Sequence, residues 1–186
     1  MFHFKITNIK LTLKTDVICL DSVKKLLLQK KTLNEEKVSV KRYQNFLVIK
    51  NKFTYVLFKT SKNEMNHFNV TNVSTFADID FACDHILKSL LGALNVKEIF
   101  RRIDNISATL NLNIKINLSD LISYFETKCN ISFNSEKFPG AFLKFKFGTA
   151  IVFHTGKCVF IGCKKIKHLE CLERHIQTYV NTKTKL

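Results

Sequence analysis

The feature that constrains this chain most is an internal repeat. Residues 6–13 (ITNIKLTL) resemble residues 103–110 (IDNISATL), and residues 41–62 resemble residues 136–157 at a nearly constant spacing. A sequence that repeats in this way folds as copies of one structural unit, each packed against its neighbour. We therefore expect two similar halves in this chain of 186 residues.

Each half shows the same succession of hydrophobic patterns. Alternating apolar residues predict an opening strand and three or four later strands, and apolar residues at helical spacing predict a first and a closing helix. The pattern predicts an α+β fold, in which the halves join edge to edge in one antiparallel sheet with helices on a single face. The predicted ranges are 1–95 and 96–186 for the halves, 4–13 and 99–110 for the opening strands, 16–30 and 118–128 for the first helices, the latter capped by Ser119, and 76–91 and 169–180 for the closing helices.

Alternation along the later strands divides their side chains between the helix-covered face and the open face. The open face is expected to be apolar in its middle and cationic at its flanks. The residues assigned to the covered face are Leu143, Phe145, Phe147, Ala150, Val152, Cys158 and Phe160. Those assigned to the open face are Phe142, Lys144, Lys146, Ile151, Phe153, Thr155, Lys157, Val159 and Ile161 in the second half, and Leu47, Ile49, Val56, Phe58, Thr60 and Lys62 in the first.

The charge of the chain indicates a polyanionic partner. Thirty Lys and Arg against 15 Asp and Glu give a formal net charge of +15, which attracts nucleic acid or an anionic membrane surface. No apolar run is long enough to span a bilayer. An apolar face rimmed by lysines fits the minor groove of DNA, whose floor tolerates apolar contact and whose phosphates lie at the rims. The alternative is that both faces of the sheet are covered and these aromatics are core.

Two other kinds of site are disfavoured by spacing. Cys158, Cys163, His168 and Cys171 match no common zinc finger, and Cys158 and Cys163 are expected on opposite faces of a strand. Gly148 and Gly156 are too far apart for a phosphate-binding loop, and Cys158 stands where such a loop needs Ser or Thr. The first residues lack a secretory apolar core, so reduced thiols are expected.

The second half carries motifs of a known family. The runs F-P-G (138–140), I-V-F (151–153), G-K (156–157) and G-C-K (162–164) resemble the second repeat of the TATA-box-binding protein family. The I-x-N-I pattern at the start of both halves resembles the family's opening strand. The resemblance covers essentially the whole conserved core of that family.

The resemblance implies a pseudo-twofold saddle that binds the minor groove of AT-rich DNA and bends it. It implies that Asn8 and Asn105 hydrogen-bond to bases at the centre, and that aromatic pairs wedge between base steps. These pairs would be Phe138 with Phe153 and Tyr43 with Phe58. The full set of DNA-binding residues implied is Asn8, Tyr43, Val56, Phe58, Lys62, Thr71, Asn105, Phe138, Pro139, Lys144, Ile151, Phe153, Lys157, Val159 and Ile161.

Several positions depart from the family pattern. Tyr43 replaces a wedge Phe, Asn69 a central Val and Ile161 a central Thr. Ile49 stands where the repeat would place the counterpart of Lys144, and Lys10 and Ser107 replace two further valines. This drift, with a bias towards Lys, Asn, Ile and Phe, suggests a divergent homologue from a large DNA virus or a fast-evolving eukaryote.

The resemblance also implies partners. Glu136 and Lys137 lie where the family docks transcription factor IIB, so a factor of that kind and an RNA polymerase machinery are expected, in the nucleus or a viral transcription compartment. No enzymatic activity and no cofactor are expected. The alternatives are a basic DNA- or RNA-binding protein of the same fold without TATA preference, a protein-interaction scaffold, and an enzyme domain such as the fold's occurrences in DNA glycosylases and ribonucleases H.

Overall fold

The computed structural model describes residues 4–16, 19–32, 38–58 and 66–183. These residues form two compact units. The first unit is Asn8–Ile103, and the second contains the described residues from Asp104 onward together with those before Asn8.

The first unit contains a five-stranded antiparallel arrangement in the order β2-β3-β4-β5-β1. A π-helical segment, His85–Leu90, and a short 3-10 turn, Gly92–Leu94, follow its last helix. The elements in chain order are β1 (Lys5–Thr15), α1 (Leu20–Thr32), β2 (Ser39–Arg42), β3 (Phe46–Lys50), β4 (Thr54–Phe58), β5 (Asn66–Val73) and α2 (Ala77–Asp84).

The second unit repeats this order of elements. Its strands are also antiparallel, in the order β6-β10-β9-β8-β7. The elements are β6 (Glu98–Asn111), α3 (Leu118–Phe125), β7 (Asn130–Asn134), β8 (Phe138–Phe145), β9 (Gly148–Phe153), β10 (Lys157–Cys163) and α4 (Ile166–Lys183). The predicted helices and strands are therefore present, with ends shifted by a few residues.

The core of the second unit lies between its strands and its helices. Helix α4 packs against β9 and β10, and the strand residues that face it, among them Val152, Cys158 and Phe160, are at most 1% exposed. Phe145 and Phe147 are half-buried, with both rings stacked on His175 of α4. The sequence assignment of the covered face is confirmed here. Each large apolar side chain buried in this way contributes about 1.5–3 kcal/mol.

The face assignment of β3 was wrong by one residue. Leu47 and Ile49 are fully buried under the helices, opposite Leu57 and Tyr55, so they do not lie on the open face. Val48 pairs with Val56, a residue of the open face. A shift of one residue moves every side chain of a strand to the other face.

The cause of this shift is the hairpin between the strands. Residues 51–53 connect β3 to β4, whereas only residues 146 and 147 connect β8 to β9. Lys50 pairs with Thr54 as Lys144 pairs with Thr149. Lys50, and not Ile49, is therefore the structural counterpart of Lys144.

Helix α3 is capped by Asn117 and not by Ser119 as predicted. The Asn117 Oδ1 accepts hydrogen bonds from the backbone N–H groups of Ser119 (3.0 Å) and Asp120 (3.3 Å). Its backbone is extended, as an N-cap requires, and Ser119 lies inside the first turn.

Replacing Asn117 with alanine should lower the free energy of unfolding by about 1 kcal/mol, because two N–H groups of the first turn lose their acceptor. Urea denaturation followed by circular dichroism measures this change. Ser119→Ala is the matched control and should change stability by less than about 0.5 kcal/mol. An equal loss in both variants would contradict the assignment of the cap.

Candidate nucleic-acid interface

The open face of the second unit is organised in rows that run across the strands. Residues directly opposite each other in an antiparallel pair point to the same face. Phe142 pairs with Ile151, Ile151 with Val159, and Val159 with Thr109. The predicted open-face residues Ile151 and Val159 therefore lie side by side, in a row that is apolar up to its last member.

The first unit presents the equivalent row. Val48 pairs with Val56, Val56 with Asn69, and Asn69 with Thr12. Each of the two rows ends on a threonine of the long opening strand. The two rows differ in their third member, which is Asn69 in the first unit and Val159 in the second.

A second row places a lysine at the margin of each unit. Lys144 pairs with Thr149, and Thr149 with Ile161. In the first unit Lys50 pairs with Thr54, and Thr54 with Thr71. The side chains of both lysines are exposed, so each row runs from a cation to a half-buried residue, and both contain a threonine in the middle.

The predicted aromatic pair of the second unit is assembled. The ring centroids of Phe138 and Phe153 are 5.7 Å apart, and Phe142 lies 5.1 Å from Phe138. A Cβ on Gly140 would come within 2.8 Å of the Phe138 ring and 2.9 Å of Ile151. The glycine of the F-P-G motif therefore makes room for this cluster, and Pro139 beside it is exposed.

The aromatic cluster of the first unit differs from the prediction. Tyr43 stacks on Phe46 with ring centroids 4.5 Å apart, and Phe46 contacts Phe58 at 6.0 Å. His67 stacks on the other side of Phe58 at 5.0 Å. Phe46, not Tyr43, is thus the ring opposite Phe58 in the strand pairing. Sequence reasoning missed Phe46 because the shifted register placed it on the wrong face.

The two predicted asparagines have equivalent environments. The Asn8 Oδ1 accepts a hydrogen bond from the backbone N–H of Asn72 (2.9 Å), and the Asn105 Oδ1 accepts one from that of Gly162 (2.7 Å). Asn72 and Gly162 both have left-handed backbones, with φ of 65° and 78°. The bond to Oδ1 fixes how each amide is oriented, with its Nδ2 group directed away from that contact. The Asn105 Nδ2 also donates to the Ser107 hydroxyl at 3.0 Å.

The remaining predicted site residues are either exposed or outside the described part of the chain. Lys157 is exposed opposite Asn111 at the start of β10, and Lys62 lies outside the described residues, as does Thr60. Glu136 and Lys137 form an exposed turn in which both backbone N–H groups donate to the Asn134 Oδ1, at 3.0 and 3.3 Å. Their proposed role in partner binding stays a prediction.

Two buried cysteine thiols of β10 are in their protonated, unreactive form. Burial raises the pKa of the Cys158 thiol to about 12 and that of the Cys163 thiol to about 11, so both stay protonated near neutral pH. Within residues 4–16, 19–32, 38–58 and 66–183, no group of three or more His, Cys, Asp or Glu side chains is arranged to hold a metal ion. No helix in the described part of the chain is long and apolar enough to cross a membrane.

Part of the chain matches a known protein family, and its structure is similar to a solved one. Residues 101–181 match the family model described as "Transcription factor TFIID (or TATA-binding protein, TBP)". The structure is similar to that of Methanococcus jannaschii TBP, with a TM-score of 0.75 and 22% sequence identity over 97% of this chain and 99% of that one. No curated protein sequence matches the chain. The predicted resemblance and the predicted fold are confirmed by these matches.

Proposed function

Because residues 101–181 match the model of the TATA-binding protein family and the chain has a fold similar to that of an archaeal TBP, we propose that it is a transcription initiation factor that binds AT-rich duplex DNA through the minor groove and bends it. The observation that carries this proposal is the uncovered face of each unit. Each face presents an apolar row and a lysine-terminated row in equivalent places, and an aromatic cluster around Phe58 or its counterpart Phe153.

The rows suit a minor groove by their chemistry. Val56, Ile151 and Val159 offer no hydrogen-bonding groups, so they make apolar contact with sugars and base edges where the groove presents few donors. Lys50, Lys144 and Lys157 at the margins neutralise phosphates, with Lys62 as a further candidate. The net charge of +15 supplies the long-range attraction.

The aromatic clusters supply the bend. Apolar side chains inserted between base steps unstack them and kink the duplex, at a cost of a few kcal/mol per step that the enlarged contact area offsets. Phe138 with Phe153 would form one wedge, and Phe58 with Phe46 the other. Easily deformed T·A steps lower the cost, so preference for AT-rich sites arises partly from DNA shape. Asn8, Asn105 and Thr71 would bind base acceptors near the middle of the site.

The proposal extends to partners and compartment. We expect a factor of the transcription factor IIB type at the turn that holds Glu136 and Lys137, and an RNA polymerase machinery recruited with it, in the nucleus or a viral transcription compartment. The chain is expected to act without enzymatic activity, because positioning and bending DNA need no catalytic group.

A second candidate function is a DNA-coating protein of the same fold without TATA preference. The polar residues Asn69 and Lys10, which stand where the family has valines, favour this alternative because they weaken the apolar character of the first unit. It predicts strong binding that depends on salt but not on base composition.

A binding and bending experiment separates the two functions. A duplex with an A·T run and a G·C-rich duplex of equal length are compared at about 150 mM salt, with fluorescence energy transfer between the duplex ends reporting the bend. We expect about 1–3 kcal/mol of preference for the A·T duplex per base pair read, and a bend in that duplex alone. Equal affinity and equal bending would establish the second function instead.

A further inference from the structure

The row Val48–Val56–Asn69–Thr12 carries one amide in an otherwise apolar stretch. Asn69 is half-buried on the open face, between Val56 on β4 and Thr12 on β1. Its counterpart in the second unit, between Ile151 and Thr109, is Val159. The two units therefore differ in one hydrogen-bonding group at a matched place on the open face.

The Asn69 amide is free to bind a ligand. Within the described part of the chain, no residue forms a hydrogen bond with this side chain. A half-buried amide with no protein partner loses its water when a ligand covers the face, and this loss is unfavourable unless the ligand replaces those hydrogen bonds. A partner that offers both a donor and an acceptor at this position is favoured.

The minor groove offers such a partner at one kind of base pair. A·T and T·A pairs present only the acceptors adenine N3 and thymine O2, whereas a G·C pair adds the guanine N2 amino donor. Valine can pair with neither kind of group, so a guanine amino group pressed against Val159 would lose its hydrogen bond to water without replacement. At Asn69, by contrast, the side-chain Oδ1 can accept a hydrogen bond from the guanine amino group of a G·C pair, and the Nδ2 can donate one to the O2 of the paired cytosine.

We propose that Asn69 is a specificity-determining residue through which the first unit accepts a G·C pair in the minor groove, while the second unit, through Val159, accepts only A·T pairs. This inference rests on the proposed function and defines its DNA substrate class more narrowly. The preferred site is AT-rich in one half and permits G·C in the other. Thr71 and Ile161, the next pair of counterparts, differ in the same sense, with the hydroxyl in the first unit.

The test uses three double-stranded probes and needs no knowledge of which way the protein lies on DNA. The first probe has an uninterrupted A·T run of about one helical turn. The second has one A·T pair of one half replaced by G·C, and the third has the replacement at the symmetric positions of both halves. The replaced position is moved outward from the centre through a series of such probe sets, and affinity is measured for each.

The wild type should bind the single-substituted probe within about threefold of the A·T probe, because it can place Asn69 over the G·C pair. The doubly substituted probe should bind about tenfold or more weakly, since its second G·C pair must meet Val159. In Asn69→Val the single substitution should already cost about tenfold. In Val159→Asn the doubly substituted probe should recover to within about threefold of the A·T probe.

Failure of this inference is distinct from failure of the proposed function. If the wild type binds and bends the A·T probe but Asn69→Val shows the same affinity ratios among the three probes as the wild type, only the proposed role of Asn69 is contradicted. If the wild type shows no preference for the A·T probe over a G·C-rich duplex, both proposals fall. Both substituted positions are half-exposed on strands, and circular dichroism melting of each variant checks that the ratios compare folded proteins.

Discussion

Replacing Phe153 with alanine should abolish most of the bend in an A·T duplex and weaken binding by about 10- to 100-fold. The ring lies against Phe138 on the open face, against which none of the described helices packs, so its removal leaves the protein core intact. A phenylalanine side chain buried against DNA contributes about 1.5–3 kcal/mol, and each 1.4 kcal/mol corresponds to a factor of ten in affinity. Fluorescence energy transfer across the duplex measures the bend, and a titration of the same probe measures affinity.

The chain offers a matched control for this experiment. Phe133 on β7 is 37% exposed, almost the same as Phe138 at 38%, but it lines a groove with Ile122 and Cys129 on the helix side. Phe133→Ala should leave bending and affinity unchanged, whereas Phe138→Ala should lower both as Phe153→Ala does. Full bending by both Phe138→Ala and Phe153→Ala would show that these two rings are not the wedge that bends the duplex.

Replacing Gly156 with alanine should lower the free energy of unfolding by about 2–5 kcal/mol, from left-handed backbone strain and overpacking together. Gly156 has φ of +83°, and a Cβ there would collide with the carbonyl oxygen of Ile114. Two backbone hydrogen bonds join the segment around Ile114 to the hairpin between β9 and β10. The Leu112 N–H donates to the Gly156 carbonyl oxygen (3.0 Å), and the Ile116 N–H donates to that of His154 (2.8 Å). The collision therefore displaces a connection between β6 and α3, and chemical denaturation measures the loss.

Gly92→Ala is the control for the loss of glycine itself. Apart from Gly92 itself and its neighbours along the chain, no atom of the described residues lies within 4 Å of a Cβ placed at Gly92, and its φ lies outside the left-handed range. This variant should therefore lie within about 1 kcal/mol of the wild type. A loss in Gly156→Ala no larger than in Gly92→Ala would show that the segment around Ile114 can move aside.

The fold and the covered face of the second unit could be predicted because alternation along β10 holds as far as Phe160; beyond it the register shifts, and Cys163 is buried like Cys158, against the expectation of opposite faces. Ala150, Val152, Cys158 and Phe160 fall at even spacing and are all buried. In the first unit the same reasoning failed at Leu47 and Ile49. Alternation assigns residues to one of two sets, but which set faces the helices depends on the hairpin, and the two hairpins differ by a residue.

The candidate site was predictable in so far as it repeats. Asn8 and Asn105 were found by their shared motif, and their bonds to Asn72 and Gly162 are equivalent. Phe46 was missed because the shifted register of β3 assigned it to the covered face, although it pairs with Phe58. Likewise, Asn117 and Ser119 are both good capping residues, and only the backbone conformation at the helix start distinguishes them.

The unequal hairpins have a consequence for exchanging parts between the two units. A transplant of residues 140–153 into the place of residues 46–58 joins ends that occupy equivalent rungs, since Gly140 pairs with Phe153 and Phe46 with Phe58. Every side chain then keeps its face although the insert is longer. A transplant of β8 alone, aligned by sequence distance, would turn the buried side of the new strand towards the solvent. Segments can therefore be exchanged between the two units as whole hairpins, but not as single strands.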